Sequence, residues 1–151
     1  MKRSTAIFLQ TAIALFGLAV LVFLLWEPNV EGRNAHATLF EVYFEDAFLA
    51  CWYAASIFFF VALYQVFKLL GDAGGQGFSA RSLSALQTLR YSTFGIIAFV
   101  LASEVYLIVV VRGHDDIAGG VAVGTFVSLC STAAAIAAVL FERRLRARVL
   151  T

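Results

Sequence analysis

Charge is what this chain has least of. Asp, Glu, Lys and Arg make up 14% of its 151 residues, against about a quarter in a soluble domain. Proline occurs once, at Pro28, and histidine twice. The two cysteines, Cys51 and Cys130, form no Cys-x-x-Cys, which excludes a zinc ribbon or a thioredoxin-like pair. Their depths on the helices expected below differ by about 13 Å, too far for a disulfide, so both read as packing residues. No histidine lies inside a long apolar run, which argues against a membrane cytochrome with paired histidine ligands. The glycine-rich stretch 71–77 lacks a following Gly-Lys-Ser or Gly-Lys-Thr and follows no strand, so it is no phosphate loop. No nucleophile–base pair, metal set or repeat of 20–50 residues is evident. The expectation is a non-enzymatic protein without cofactor or metal.

What the chain has is apolar length. Apolar residues make up 62%, fifteen of them Phe, and mean hydropathy is +0.88. Four runs, 6–26, 47–67, 92–111 and 117–141, each suffice to cross a hydrocarbon core of about 30 Å as a helix. The fold class is therefore all-α: a single four-span integral membrane bundle over residues 1–151. The first run is longer than a signal peptide's apolar region, and Ala35-His36-Ala37 follows too late for cleavage, so it is expected as a retained span. Trp26 suits the interface, and Pro28 is expected to end the first helix. Gly71 reads as the cap of the second helix. Ser79 reads as the N-cap of the third, with Phe78 stapled onto Leu83. That third helix should run from about 80 to 111, a third longer than the membrane requires. Lys and Arg number nine on the amino end, central loop and tail, against two in the other connections. The positive-inside rule then puts both termini and the loop-helix 71–91 in the cytoplasm, in a bacterial inner membrane.

Glu104 is the one charge inside the run 92–111, about 10 Å below its outer end. A carboxylate near mid-membrane costs about 2.5–3.5 kcal/mol on insertion scales, and such a residue is a functional candidate by default. No Lys, Arg or His stands in any span to neutralise it. Trp52, Tyr53, Ser56, Thr125 and Ser128 lie at matching depth. One reading is a proton- or cation-responsive ligand site; the other is a carboxyl hydrogen-bonded to neighbouring helices. On the fourth span Gly120, Gly124, Ser128 and Thr132 repeat every fourth residue, the spacing that lets membrane helices approach closely. That face serves packing inside the bundle or a homo-oligomer. Gln10 and Gln65 read as interhelical hydrogen-bond formers. His36 and His114, with Asp115 and Asp116, lack a ligand spacing and read as solvated loop. The arginine tail, with Lys2 and Arg3, sets topology and sits on anionic lipid; no direct nucleic-acid contact is expected.

The segment Phe67-Lys68-Leu69-Leu70, then Gln76-Gly77-Phe78-Ser79, Leu83 and Leu89-Arg90, resembles a bacterial family called domain of unknown function 2975. The resemblance implies four spans, with a second helix ending in a leucine pair and a Gly-x-Phe-Ser start to the third. Members are often encoded beside a small Cro/CI-type regulator, which implies at most a membrane partner of a regulator protein. Glu104 is not part of the resemblance. Three functions stand in order. The first is a membrane component of a regulatory or stress-response module, with Phe78, Ser79, Arg81 and Arg90 at its cytoplasmic contact. The second is a small proton-linked transporter or binder of cationic compounds using Glu104. The third is a structural subunit of a larger membrane complex.

Overall fold

The computed structural model describes residues 1–30, 38, 40–41, 47–75, 77–111 and 117–149. It consists of four long helices: α1 (Arg3–Val30), α2 (Ala47–Gly74), α3 (Ala80–Tyr106) and α4 (Ala118–Val149). A π-helical turn, Leu107–Val111, continues α3. No strand occurs among the described residues. All four helices are long and apolar enough to cross a membrane. A bilayer core offers no water to backbone groups, so a chain this apolar satisfies them within helices. The connections expected as solvated loop, with His36 in the first and His114, Asp115 and Asp116 in the last, lie outside the described residues.

Chain order is packing order: α1 rests on α2, α2 on α3 and α3 on α4. The core lies where α2 meets α3, around Ala55, Ile96 and Val100, with Trp52, Phe58, Phe59, Phe99 and Val127 packed against it. Phe58 stacks on Phe99 with ring centroids 5.8 Å apart. The start of α1, end of α2, start of α3 and end of α4 share one end of the bundle, since Ala6 meets Gly74 and Arg90 meets Glu142. That end is called inner below, and the opposite one outer.

Two local expectations are corrected. Helix α1 does not stop before Pro28 but runs to Val30. Proline brings no N–H, so the Leu24 carbonyl four residues back loses its helical donor. The Tyr53 hydroxyl donates to that carbonyl instead, at 2.8 Å. Gly71 does not cap α2, which runs on to Gly74; Gly71 faces Gln10 of α1. The chain turns at Gly77, whose φ of +84° suits glycine. The Asp72 carbonyl accepts from the Gly75 and Gly77 amides there. Phe78 packs edge-on against Phe141 of α4, centroids 5.1 Å apart, so it ties the start of α3 to α4. In the first connection, Thr38 donates its amide and hydroxyl to Glu41, which together hold that carboxyl below its usual range.

Candidate functional site

The α3–α4 pair carries a polar group at each end. At the outer end Glu104 is half-buried, and its Oε1 accepts from the Thr125 hydroxyl at 3.1 Å. Its place is made by Gly124. A Cβ there would lie 2.6 Å from Glu104 Oε1 and 2.9 Å from its Cγ, so any side chain would displace the carboxyl. Gly120, one turn away, likewise faces Leu107 and Phe48. Both glycines are thus turned into the bundle. Thr132 bonds the Ser128 carbonyl of its own helix and is exposed. The π turn at Leu107–Val111 begins three residues beyond Glu104, and such bulges recur at functional sites.

Of the residues placed at matching depth, only Thr125 is brought onto Glu104. Tyr53 bonds α1, and the Ser56 hydroxyl donates to the Tyr53 carbonyl at 2.7 Å. Ser128 Oγ and Trp52 Nε1 are buried and take no partner among the described residues. No group of three or more His, Cys, Asp or Glu that could hold a metal occurs among the described residues.

The inner end is the more elaborate. Glu142 is buried, with 7% of its side chain exposed, between α3 and its own helix. Its Oε2 accepts from Arg90 at 3.3 Å. Its Oε1 accepts from Gln87 at 3.3 Å and from Arg146 at 2.8 and 3.1 Å. Below this clamp α3 begins at Ser79, in extended backbone as an N-cap requires. Ser82, fully buried, accepts from the Ser79 amide at 3.1 Å and donates to the Asp72 carboxylate at 2.5 Å. One serine thereby links the end of α2 to the start of α3. Of the four residues expected at the inner contact, Phe78 and Arg90 are engaged with α4, and Ser79 forms the cap. Arg81 is exposed, as are Arg143 and Arg144 of α4.

Residues 5–147 match the family described as "Protein of unknown function (DUF2975)". The chain belongs to this family. It is also similar to the uncharacterized membrane protein YoaS of Bacillus subtilis (strain 168), with 28% identity over 148 residues, covering 97% of this chain and 92% of the relative. No solved structure matches. The match extends from the first span to beyond Glu142, so both polar ends of the α3–α4 pair lie within the family's extent. Glu142 escaped the sequence reading because it opens a basic tail and reads there as one more surface charge. The only local signal was Arg146 one turn on, the spacing of a helical ion pair.

Proposed function

We propose that this family member is a non-enzymatic membrane component of a regulatory or stress-response module. Its contact with a partner regulator protein is the inner stem of α3 and α4. The observation that carries this reading is the Glu142 clamp. Two helices run past the length a bilayer needs, and a buried carboxylate with two arginines and an aromatic pair locks them to each other. A locked stem presenting Arg81, Arg143 and Arg144 suits protein contact better than it suits a pore or a catalytic cleft. The excess of Lys and Arg at this end supports a cytoplasmic position for it in a bacterial inner membrane.

Alanine at Arg81, Arg143 and Arg144 together leaves most of the basic bias in place and should not change insertion, which cysteine accessibility checks. In cells this triple variant is expected to reproduce the transcript changes of a deletion strain. A wild-type transcript profile in the variant, or an unchanged one in the deletion, overturns the reading.

A second reading has one specific observation in its favour: a half-buried carboxyl at Glu104 with a single hydrogen-bond donor and no cation beside it among the described residues. On that reading Glu104 exchanges a proton for a cationic compound. Glu104→Gln should then abolish ΔpH-driven uptake of tetraphenylphosphonium into proteoliposomes; uptake equal to wild type, or none in either protein, removes the transporter.

A further inference from the structure

The seam between α1 and α2 is used by neither reading, yet it has a consistent chemistry along its length. On α1 the residues Arg3, Gln10, Ala14 and Leu21 fall on one face at helical spacing; on α2 Tyr64, Phe67 and Gly71 do the same. Two cavities lie in tandem along this seam. The inner one, about 440 Å³, is bordered by Arg3, Gln10 and the backbone of Gly71 and Gly75. The next, about 420 Å³, is walled almost wholly by apolar atoms, with Ala14 and Leu18 on one side and Phe60 and Phe67 on the other. Small residues set the spacing. Gly74 admits Ala6, and Gly17 admits Leu63, so the helices touch at those points and leave slots beside them. Gln10 Nε2 donates to the Phe67 carbonyl at 3.0 Å, at the boundary between the two cavities.

The polar cavity is cationic and unspent. Arg3 is exposed and engages no acidic group among the described residues. The nearby acid of α2, Asp72, is taken by Ser82. Lys68 stands over the Tyr64 ring at 5.6 Å, beside the junction. Gln10 gives one amide hydrogen to α2 and keeps its amide oxygen as an acceptor. A diester phosphate meets Arg3, a headgroup hydroxyl can donate to Gln10, and an acyl chain continues into the apolar slot. From Gln10 to Leu21 the helical rise is about 16 Å, close to half the hydrocarbon core. We infer that the α1–α2 seam is a binding site for one anionic phospholipid, with its headgroup at Arg3 and Gln10 and one chain between α1 and α2. The charge at the mouth, the apolar slot and their order along the bilayer normal fit a lipid better than a soluble anion.

Native mass spectrometry of the full chain in detergent, with phosphatidylglycerol or phosphatidylcholine added, tests this. One phosphatidylglycerol should remain bound in preference to phosphatidylcholine. Arg3→Gln should weaken retention about fivefold, the weight of one cationic side chain at a membrane surface. Lys2→Gln, outside the cavity, should change it less. Ala14→Trp, which fills the slot and alters no charge, should expel the lipid. Equal retention of both lipids, an Arg3→Gln variant that binds as wild type, or an Ala14→Trp variant that still holds phosphatidylglycerol overturns the proposal. So does displacement of the lipid by millimolar inorganic phosphate, which would mark a site for free anions.

Discussion

Glu142→Ala should lower the unfolding temperature of the detergent-solubilised protein by roughly 4–12 °C, the consequence of about 2–3 kcal/mol lost. Removing one partner of a buried ion pair costs about 3–5 kcal/mol, because the other charge stays behind without compensation. Arg90, the partner left on α3, is 26% exposed, so water recovers part of that cost and the lower figure applies. Gln87 also loses its acceptor. Arg146 should behave differently. It is 48% exposed and lies one turn from Glu142 on the same helix, an arrangement worth about 0.3–0.5 kcal/mol. Arg146→Ala should therefore cost a few tenths of a kilocalorie. The paired change Glu142→Leu with Arg90→Met should recover most of the stability, since apolar residues of similar volume replace buried ion pairs at little cost. Equal, small losses for Glu142→Ala and Arg146→Ala would show that the cross-helix bond does not hold the stem.

The contrast between those two arginines also shows where the sequence was readable. Arg146 stands four residues from Glu142, and helical periodicity makes the pair visible. Arg90 is 52 positions away, and nothing local says that α3 turns it toward α4. Helical length and apolarity follow from counting residues, so the four long helices and the start of α3 at Ala80 were legible. Rotation about each helix axis is set by packing. Counting places Tyr53, Ser56, Thr125 and Ser128 at the expected depth of Glu104, yet of these four it is Thr125 that hydrogen-bonds the carboxyl. The small face at Gly120 and Gly124 was legible as a close approach. Its partners, Leu107 and the Glu104 carboxyl, were not, because a glycine repeat specifies proximity and leaves the neighbour open. Phe78 was readable as the residue before a helix start. That it would reach Phe141 depended on α4 continuing past the membrane alongside α3, and a basic tail does not by itself announce that.

Tyr53→Phe should destabilise the protein by about 1–1.5 kcal/mol, the net worth of a hydrogen bond to a part-buried acceptor. The reason lies in the other helix. Pro28 supplies no N–H, and the Leu24 carbonyl is part-buried against α2, so a donor from the neighbouring helix stands in for the missing helical one. Tyr53 does so across the α1–α2 contact, and this is what lets α1 continue through a proline. Pro28→Ala provides an amide hydrogen in the ordinary place. In that background Tyr53→Phe should cost about 1 kcal/mol less, a coupling that a double-mutant cycle on unfolding free energy reads directly. Two substitutions that add to within about 0.3 kcal/mol would mean that Tyr53 and the proline act independently. A coupled result assigns the Tyr53 hydroxyl to helix repair, which takes it out of any ligand site around Glu104. Thr125 then remains the side chain that answers that carboxyl.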